Sequence, residues 1–84
     1  MEKMSNKFKV RTFGITREIL GGKETVVEVD GQTVADLRAE LLKNYPALIS
    51  LRSLMIAVNN AYAEDHEVLG EHDEIALIPP VSGG

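Results

Sequence analysis

The residues best suited to chemistry in this chain stand at its C-terminal end, Ile78-Pro79-Pro80-Val81-Ser82-Gly83-Gly84. Two prolines restrict the direction in which the chain leaves what precedes them, and two glycines without a Cβ can thread a narrow channel. Six extended residues from Pro79 reach roughly 20 Å, enough to enter the active site of another protein. The reacting group is then the terminal carboxyl of Gly84. As a carboxylate it is a poor electrophile, but once adenylated it is a mixed anhydride that a sulfur or amine nucleophile opens. A frayed terminus is also often rich in glycine, yet Pro-Pro-x-Ser-Gly-Gly straight after an apolar run is a far more specific pattern than a bare glycine pair.

The other candidate groups are weaker. His66 and His72 sit six apart in an acidic stretch, which is neither a metal-ligand spacing on a helix nor a paired acid and base. The surrounding Glu64, Asp65, Glu67, Glu71, Asp73 and Glu74 lack the order and terminal glutamate of a calcium loop. Gly21-Gly22 lacks the lysine of a phosphate-binding loop and reads as a turn. There is no cysteine, hence no disulfide frame, thiol nucleophile or thiolate metal site. The expectation is a body without catalysis or a bound cofactor of its own.

Something must hold that tail. With 84 residues, 44% of them hydrophobic, one small domain is expected, burying roughly 63% of its surface on folding. Lys7-Phe8-Lys9-Val10-Arg11-Thr12-Phe13 alternates with period two, putting Phe8 and Val10 on one face of a strand and the cations on the other. Thr25-Val26-Val27-Glu28-Val29 is a second strand, and Thr16 to Leu20 with Gly21-Gly22 suits a short helical turn or wide loop between the two. The pair should form an antiparallel hairpin.

Thr33-x-x-Asp36 has the form of a capping box and opens the one strong helix, with Val34, Leu37, Leu41 and Tyr45 on one side and Leu42 widening the stripe. Tyr45-Pro46 should end it. After a loop reaching Leu54, Met55 to Val58 reads as a buried strand, Asn59-Asn60 as a turn, and Ala61 to Ala63 as a return strand. Glu64 to Glu74 reads as an acidic loop, and Glu74 to Ile78 as the last strand, stopped by Pro79-Pro80. A hairpin, a helix and more strands in so short a chain are best satisfied by an α+β fold, a mixed sheet with the helix across one face. That is the β-grasp, ubiquitin-like arrangement. It implies an extension at residues 1–7, a domain at 8–78 and a free tail at 79–84.

The chain carries a net charge of −4, unevenly placed. All nine basic residues and seven acids lie in residues 1–52, whereas residues 53–84 hold six acids and no Lys or Arg. This balance argues against nucleic acid, whose phosphates need a concentrated basic face. No stretch approaches the ~18 apolar residues of a membrane span, and Met1 to Lys9 lacks the apolar block of a signal peptide, so a cytoplasmic location away from membranes is expected.

In Phe8-Lys9-Val10-Arg11-Thr12-Phe13 with Arg17-Glu18, in Asn44-Tyr45-Pro46, in Ala57-Val58-Asn59 and above all in Asp73 through Gly84, the chain resembles the small subunit of molybdopterin synthase, the MoaD-like sulfur carriers. The resemblance runs from about residue 8 to the end. It implies that a MoeB-like adenylating enzyme, related to ubiquitin-activating enzymes, uses ATP and magnesium to adenylate Gly84, and that a persulfide donor turns the adenylate into a thiocarboxylate. It further implies that Pro79, Pro80, Val81, Ser82 and Gly83 thread Gly84 into the large, MoaE-like subunit, in a heterotetramer that builds the dithiolene of molybdopterin. Apolar groups beside the tail would contact both partners, and the matching positions are Phe13 and Leu77; strand alternation alone leaves core packing open for both. Where the family commonly has Asp-Gly-Asp, this chain has Glu71-His72-Asp73, which puts His at a position expected to favour positive φ. The same tail chemistry would serve a carrier for thiazole or tungsten-cofactor assembly, or a ubiquitin-like modifier captured by a lysine amine. A plain interaction domain would not need Gly84 at all.

Overall fold

The computed structural model describes residues 6–51 and 54–79. Strand β1 (Asn6–Thr12) alternates as its sequence dictates, with Phe8, Val10 and Thr12 buried and Lys7, Lys9 and Arg11 exposed. It pairs antiparallel with β2 (Glu24–Val29), Phe8 opposite Val27 and Val10 opposite Thr25. The expected hairpin is there, although β1 starts earlier than the 8–78 boundary. Asn6 already pairs with Val29, and its side-chain amide donates to the Gly31 carbonyl at 2.8 Å. The connection is a short helix, α1 (Ile15–Leu20), closed by Gly21 in the left-handed conformation at φ 85°. The amides of Gly21 and Gly22 both donate to the Arg17 carbonyl, so the helix end is satisfied within the turn.

The capping box of α2 (Val34–Asn44) forms in both directions. The Thr33 hydroxyl accepts from the Asp36 amide at 3.1 Å, and the Asp36 carboxylate accepts from the Thr33 amide at 3.2 Å. Two further first-turn donors go elsewhere: the amides of Val34 and Ala35 reach the carbonyls of Glu67 and Asp65, each at 3.0 Å. The acidic stretch therefore does more than solvate. Its residue Val68 bridges to Thr33, Leu69 is buried, and its carboxylates stay largely in water. Arg38 adds a second tie, donating to the Leu54 carbonyl at 2.7 Å and pairing with Asp65 at 3.3 Å.

Val34, Leu37 and Leu41 face the sheet and are wholly buried, each stabilising the fold by about 1.5–3 kcal/mol relative to exposure, with Leu42 and Tyr45 packed beside them. The helix stops at Asn44, before Pro46. The segment expected to be a plain loop begins instead with a 3-10 helix at Pro46–Ser50, which buries Leu48. Then come β3 (Met55–Val58), β4 (Ala61–Tyr62) and β5 (Ile75–Ile78). Asn59 and Asn60 make the β3–β4 turn, both with positive φ (52° and 69°), the pattern of a type I′ hairpin.

The sheet order is β2-β1-β5-β3-β4. Only β1 and β5 run parallel; the other neighbours are antiparallel. This is the mixed sheet with one main helix across it that the sequence implies, and the last strand lies inside the sheet with a neighbour on each side. Among the described residues, no helix is long and apolar enough to cross a membrane.

Candidate functional site

The tail is rooted on β5. Its register with β1 places Thr12 opposite Leu77, and its register with β3 places Ile56 opposite Leu77. Period-two alternation then sends Ile75 and Leu77 under the helix and Ala76 and Ile78 to the open face. Leu77 is 0% exposed, walled by its neighbours in the core. This corrects its reading as a partner-contact residue: in the folded chain it offers no surface. The apolar positions beside the tail are Ala76 and Ile78, each half-buried.

Phe13, in contrast, is 39% exposed and stands where β1 ends. With Arg11, Ala57, Tyr62, Ala76 and Ile78 it lines an open hollow of about 370 Å³ on the sheet face away from α2. Tyr62 (66% exposed) lies across from Ala57, and Met55 (41% exposed) across from Ile78, so the open face has an apolar centre. The sequence reading missed Tyr62, Met55 and Ile78. Their signal was the alternation of β3 and β5, which separates two faces once one residue of each strand is known to be inside.

Local bonds fix the turn that presents Phe13. The buried Thr16 hydroxyl accepts from the Phe13 amide at 2.9 Å and donates to the Phe13 carbonyl at 2.6 Å. Gly14 follows at φ 57°, a conformation that L side chains resist, and a Cβ there would lie 3.3 Å from Pro79 Cγ. The β1–α1 turn thus abuts the first residue of the tail. The remaining tail positions, Pro80, Val81, Ser82, Gly83 and Gly84, lie outside the described residues.

The entry to β5 is clasped as well. Asn59 accepts from the Glu74 amide at 2.9 Å and donates to the Asp73 carboxylate at 3.0 Å, while its own amide reaches the Glu74 carbonyl at 2.8 Å. Asp73 also accepts from the Gly70 amide at 2.7 Å. These donors, the Gly70 amide first and the Asn59 amide next, hold the Asp73 carboxyl below its ordinary value, with a smaller contribution from the His72 charge. The Ala57-Val58-Asn59 signature therefore has a physical content: Asn59 ties the β3–β4 turn to the start of the tail-bearing strand. His72 does not need positive φ; among the described residues other than glycine, Asn59 and Asn60 are the ones that adopt it. His66 and His72 are both exposed, and among the described residues no three His, Asp or Glu side chains converge as metal ligands would.

Comparison with known proteins bears on this geometry. Residues 10–84 match the ThiS family. The chain is 39% identical over 82 residues to a protein of Chlamydomonas reinhardtii described as a molybdopterin synthase sulfur carrier subunit, covering 93% of this chain and 99% of that one. Among solved structures, small archaeal modifier protein 1 (SAMP1) of Haloferax volcanii superposes with a TM-score of 0.77 at 31% identity, covering 94% of this chain and all of that one. A complex of subunits 1 and 2 of the molybdopterin-converting factor of Helicobacter pylori contains a chain that matches with a TM-score of 0.61 at 31% identity, over 94% of this chain and 100% of that one. A mixed sheet ending in a tail-bearing inner strand, together with a family match that runs to the last residue, identifies the chain as a member of the ThiS family, among its MoaD-like proteins with the ubiquitin-like β-grasp fold.

Proposed function

We propose that this chain is the sulfur carrier subunit of a molybdopterin synthase, with Gly84 as the atom-bearing end. The observation that carries the reading is the strand that precedes the C-terminal residues: β5 is held on both sides and stops at Ile78, and Pro79 follows against the Gly14 turn, next to an exposed Phe13. A rigid body, an apolar seat and a tail of suitable length are what a carrier needs to present one carboxyl group to successive enzymes. The relative in Chlamydomonas is described by that role, and the Helicobacter chain is seen with a second subunit. The body contributes docking and aim, and the partners contribute catalysis.

In this scheme a MoeB-like enzyme, using magnesium as its cation, joins the Gly84 carboxylate to AMP at the expense of ATP, with release of pyrophosphate. The terminal sulfur of a persulfide donor displaces AMP, and a thiol then breaks the resulting S–S bond to leave the thiocarboxylate. The charged tail enters the MoaE-like large subunit, where its sulfur is transferred to a pterin precursor. Two transfers per dithiolene require the carrier to leave, be recharged and return. All of this is chemistry of the cytoplasm, and a chain without cysteine has no side-chain thiol to divert the sulfur.

The test is intact mass followed by C-terminal fragmentation after incubation with the adenylating enzyme, ATP and a persulfide donor. Fragmentation is needed because oxidation of any of the three methionines adds nearly the same mass as exchange of oxygen for sulfur. Sulfur on Gly84 supports the carrier. The likeness to a small archaeal modifier protein favours one second reading, in which Gly84 is captured by a lysine amine; Gly84 in an isopeptide bond, with no sulfur on it, would select that reading instead.

A further inference from the structure

Beside the apolar hollow lies a second one, of about 310 Å³, on the α1 side of Phe13. Its lining includes Arg11, Arg17 and Lys23 against a single carboxylate, Glu24. All three cations are exposed, and none of their side chains takes part in an ion pair or hydrogen bond among the described residues. The apolar hollow has the opposite sign at its other end, where Glu74 lies beside Asn60 and leads back into the acidic segment. A chain of net charge −4 thus presents a positive shoulder next to the point where its tail begins.

Unpaired exposed cations at the edge of an apolar patch contribute little to folding but strongly orient an approaching charged surface. Orientation matters most in the encounter with the adenylating enzyme. There the acidic carrier, its terminal carboxylate still free, must approach a protein loaded with ATP, and anion meets anion. From this charge pattern we infer that Arg11, Arg17 and Lys23 dock against a cluster of carboxylates on the adenylating enzyme, next to the pocket that takes Phe13. The contact fixes the rotation at which the carrier lands, so that the tail points along the enzyme's channel. This assignment rests on the reading above, that such an enzyme receives the tail.

The experiment is stopped-flow association of the full-length chain with its ATP-bound adenylating enzyme at low and high salt. Lys23→Glu and Lys43→Glu each take the net charge from −4 to −6, but Lys43 is an exposed residue of α2, the helix on the far face of the sheet. Lys23→Glu is expected to slow association about fivefold or more at low salt, with the effect shrinking as salt screens it and dissociation little changed. Lys43→Glu is expected to change it by less than about 1.5-fold. Arg17→Glu, on the same shoulder, should repeat the first result. Equal slowing by Lys23→Glu and Lys43→Glu, or a Lys23→Glu defect that salt does not shrink, overturns the shoulder while leaving the carrier reading standing. A wild-type chain that neither binds the enzyme nor acquires sulfur overturns the carrier reading, and the shoulder with it.

Discussion

Leu77 and Phe13 are both large, apolar and near the C-terminal end of the sheet, and the structure buries the first and leaves the second partly exposed. The contrast can be measured with two truncations. Leu77 is 0% exposed between Thr12 and Ile56, so Leu77→Ala removes buried methyl groups and leaves a cavity in a packed core. Such replacements cost about 2–5 kcal/mol. For a chain of this length each kcal/mol moves the melting temperature by about 4–8 °C, so a 3 kcal/mol loss lowers it by about 12–24 °C. Phe13 is 39% exposed and its turn is held by backbone bonds to Thr16, not by its ring. Phe13→Ala should therefore lower the melting temperature by less than about 8 °C, a loss of no more than about 1 kcal/mol. Its effect belongs on the partner, where loss of a buried aromatic anchor weakens binding by about 2 kcal/mol, near thirtyfold. Thermal unfolding followed by circular dichroism and calorimetric titration of the large subunit read the two effects separately. If Phe13→Ala unfolds the chain as readily as Leu77→Ala, or binds the subunit as wild type does, the division between core and docking face is wrong.

Deleting Gly84 should abolish acquisition of sulfur, checked by mass spectrometry. It should leave the melting temperature within about 2 °C, since among the described residues the buried core runs from Phe8 to Leu77 and single changes away from the core stay near 0.5 kcal/mol. Thr33→Ala removes half of the capping box, costing about 1 kcal/mol in denaturant unfolding, and Thr33→Ser should restore most of it. The carboxyls of Asp36 and Asp73 both titrate below their ordinary 3.8, lowered first by the amides of Thr33 and Gly70 respectively. Depressed carboxyls stabilise the fold fully above that value and lose their contribution as pH falls through the folded-state values. Stability should thus fall as pH drops below about 4, and Asp73→Asn should flatten part of that fall in acid denaturation curves.

Much of this architecture was legible because single residues decide it. Thr33 and Asp36 announce the helix start, Tyr45-Pro46 its end, and the alternation of β1 its inner face. What stayed hidden depends on distant partners. The sequence of β5 is apolar on both faces, so only its register with Thr12 and Ile56 reveals that Leu77 lies inside and Ile78 does not. The acidic segment looks like a solvated loop because its side chains are solvated; its backbone carbonyls, which carry no sequence signal, are what secure α2. The 3-10 helix after Pro46 is short and buries one large side chain, Leu48, too little to impose a periodicity. The clasp made by Asn59 joins residues about fifteen positions apart, which no local pattern displays.

The place of β5 between β1 and β3 also sets how the molecule bears a load. A pull on the C-terminal end is transmitted along β5, and the ladders on its two sides run along the direction of that pull. Their hydrogen bonds are loaded together, in shear, instead of opening one after another as a peeled edge strand would. A machine that pulled this chain from beyond β5 would meet a strand with a partner on each side before any edge strand, so unravelling from that end starts against two ladders at once.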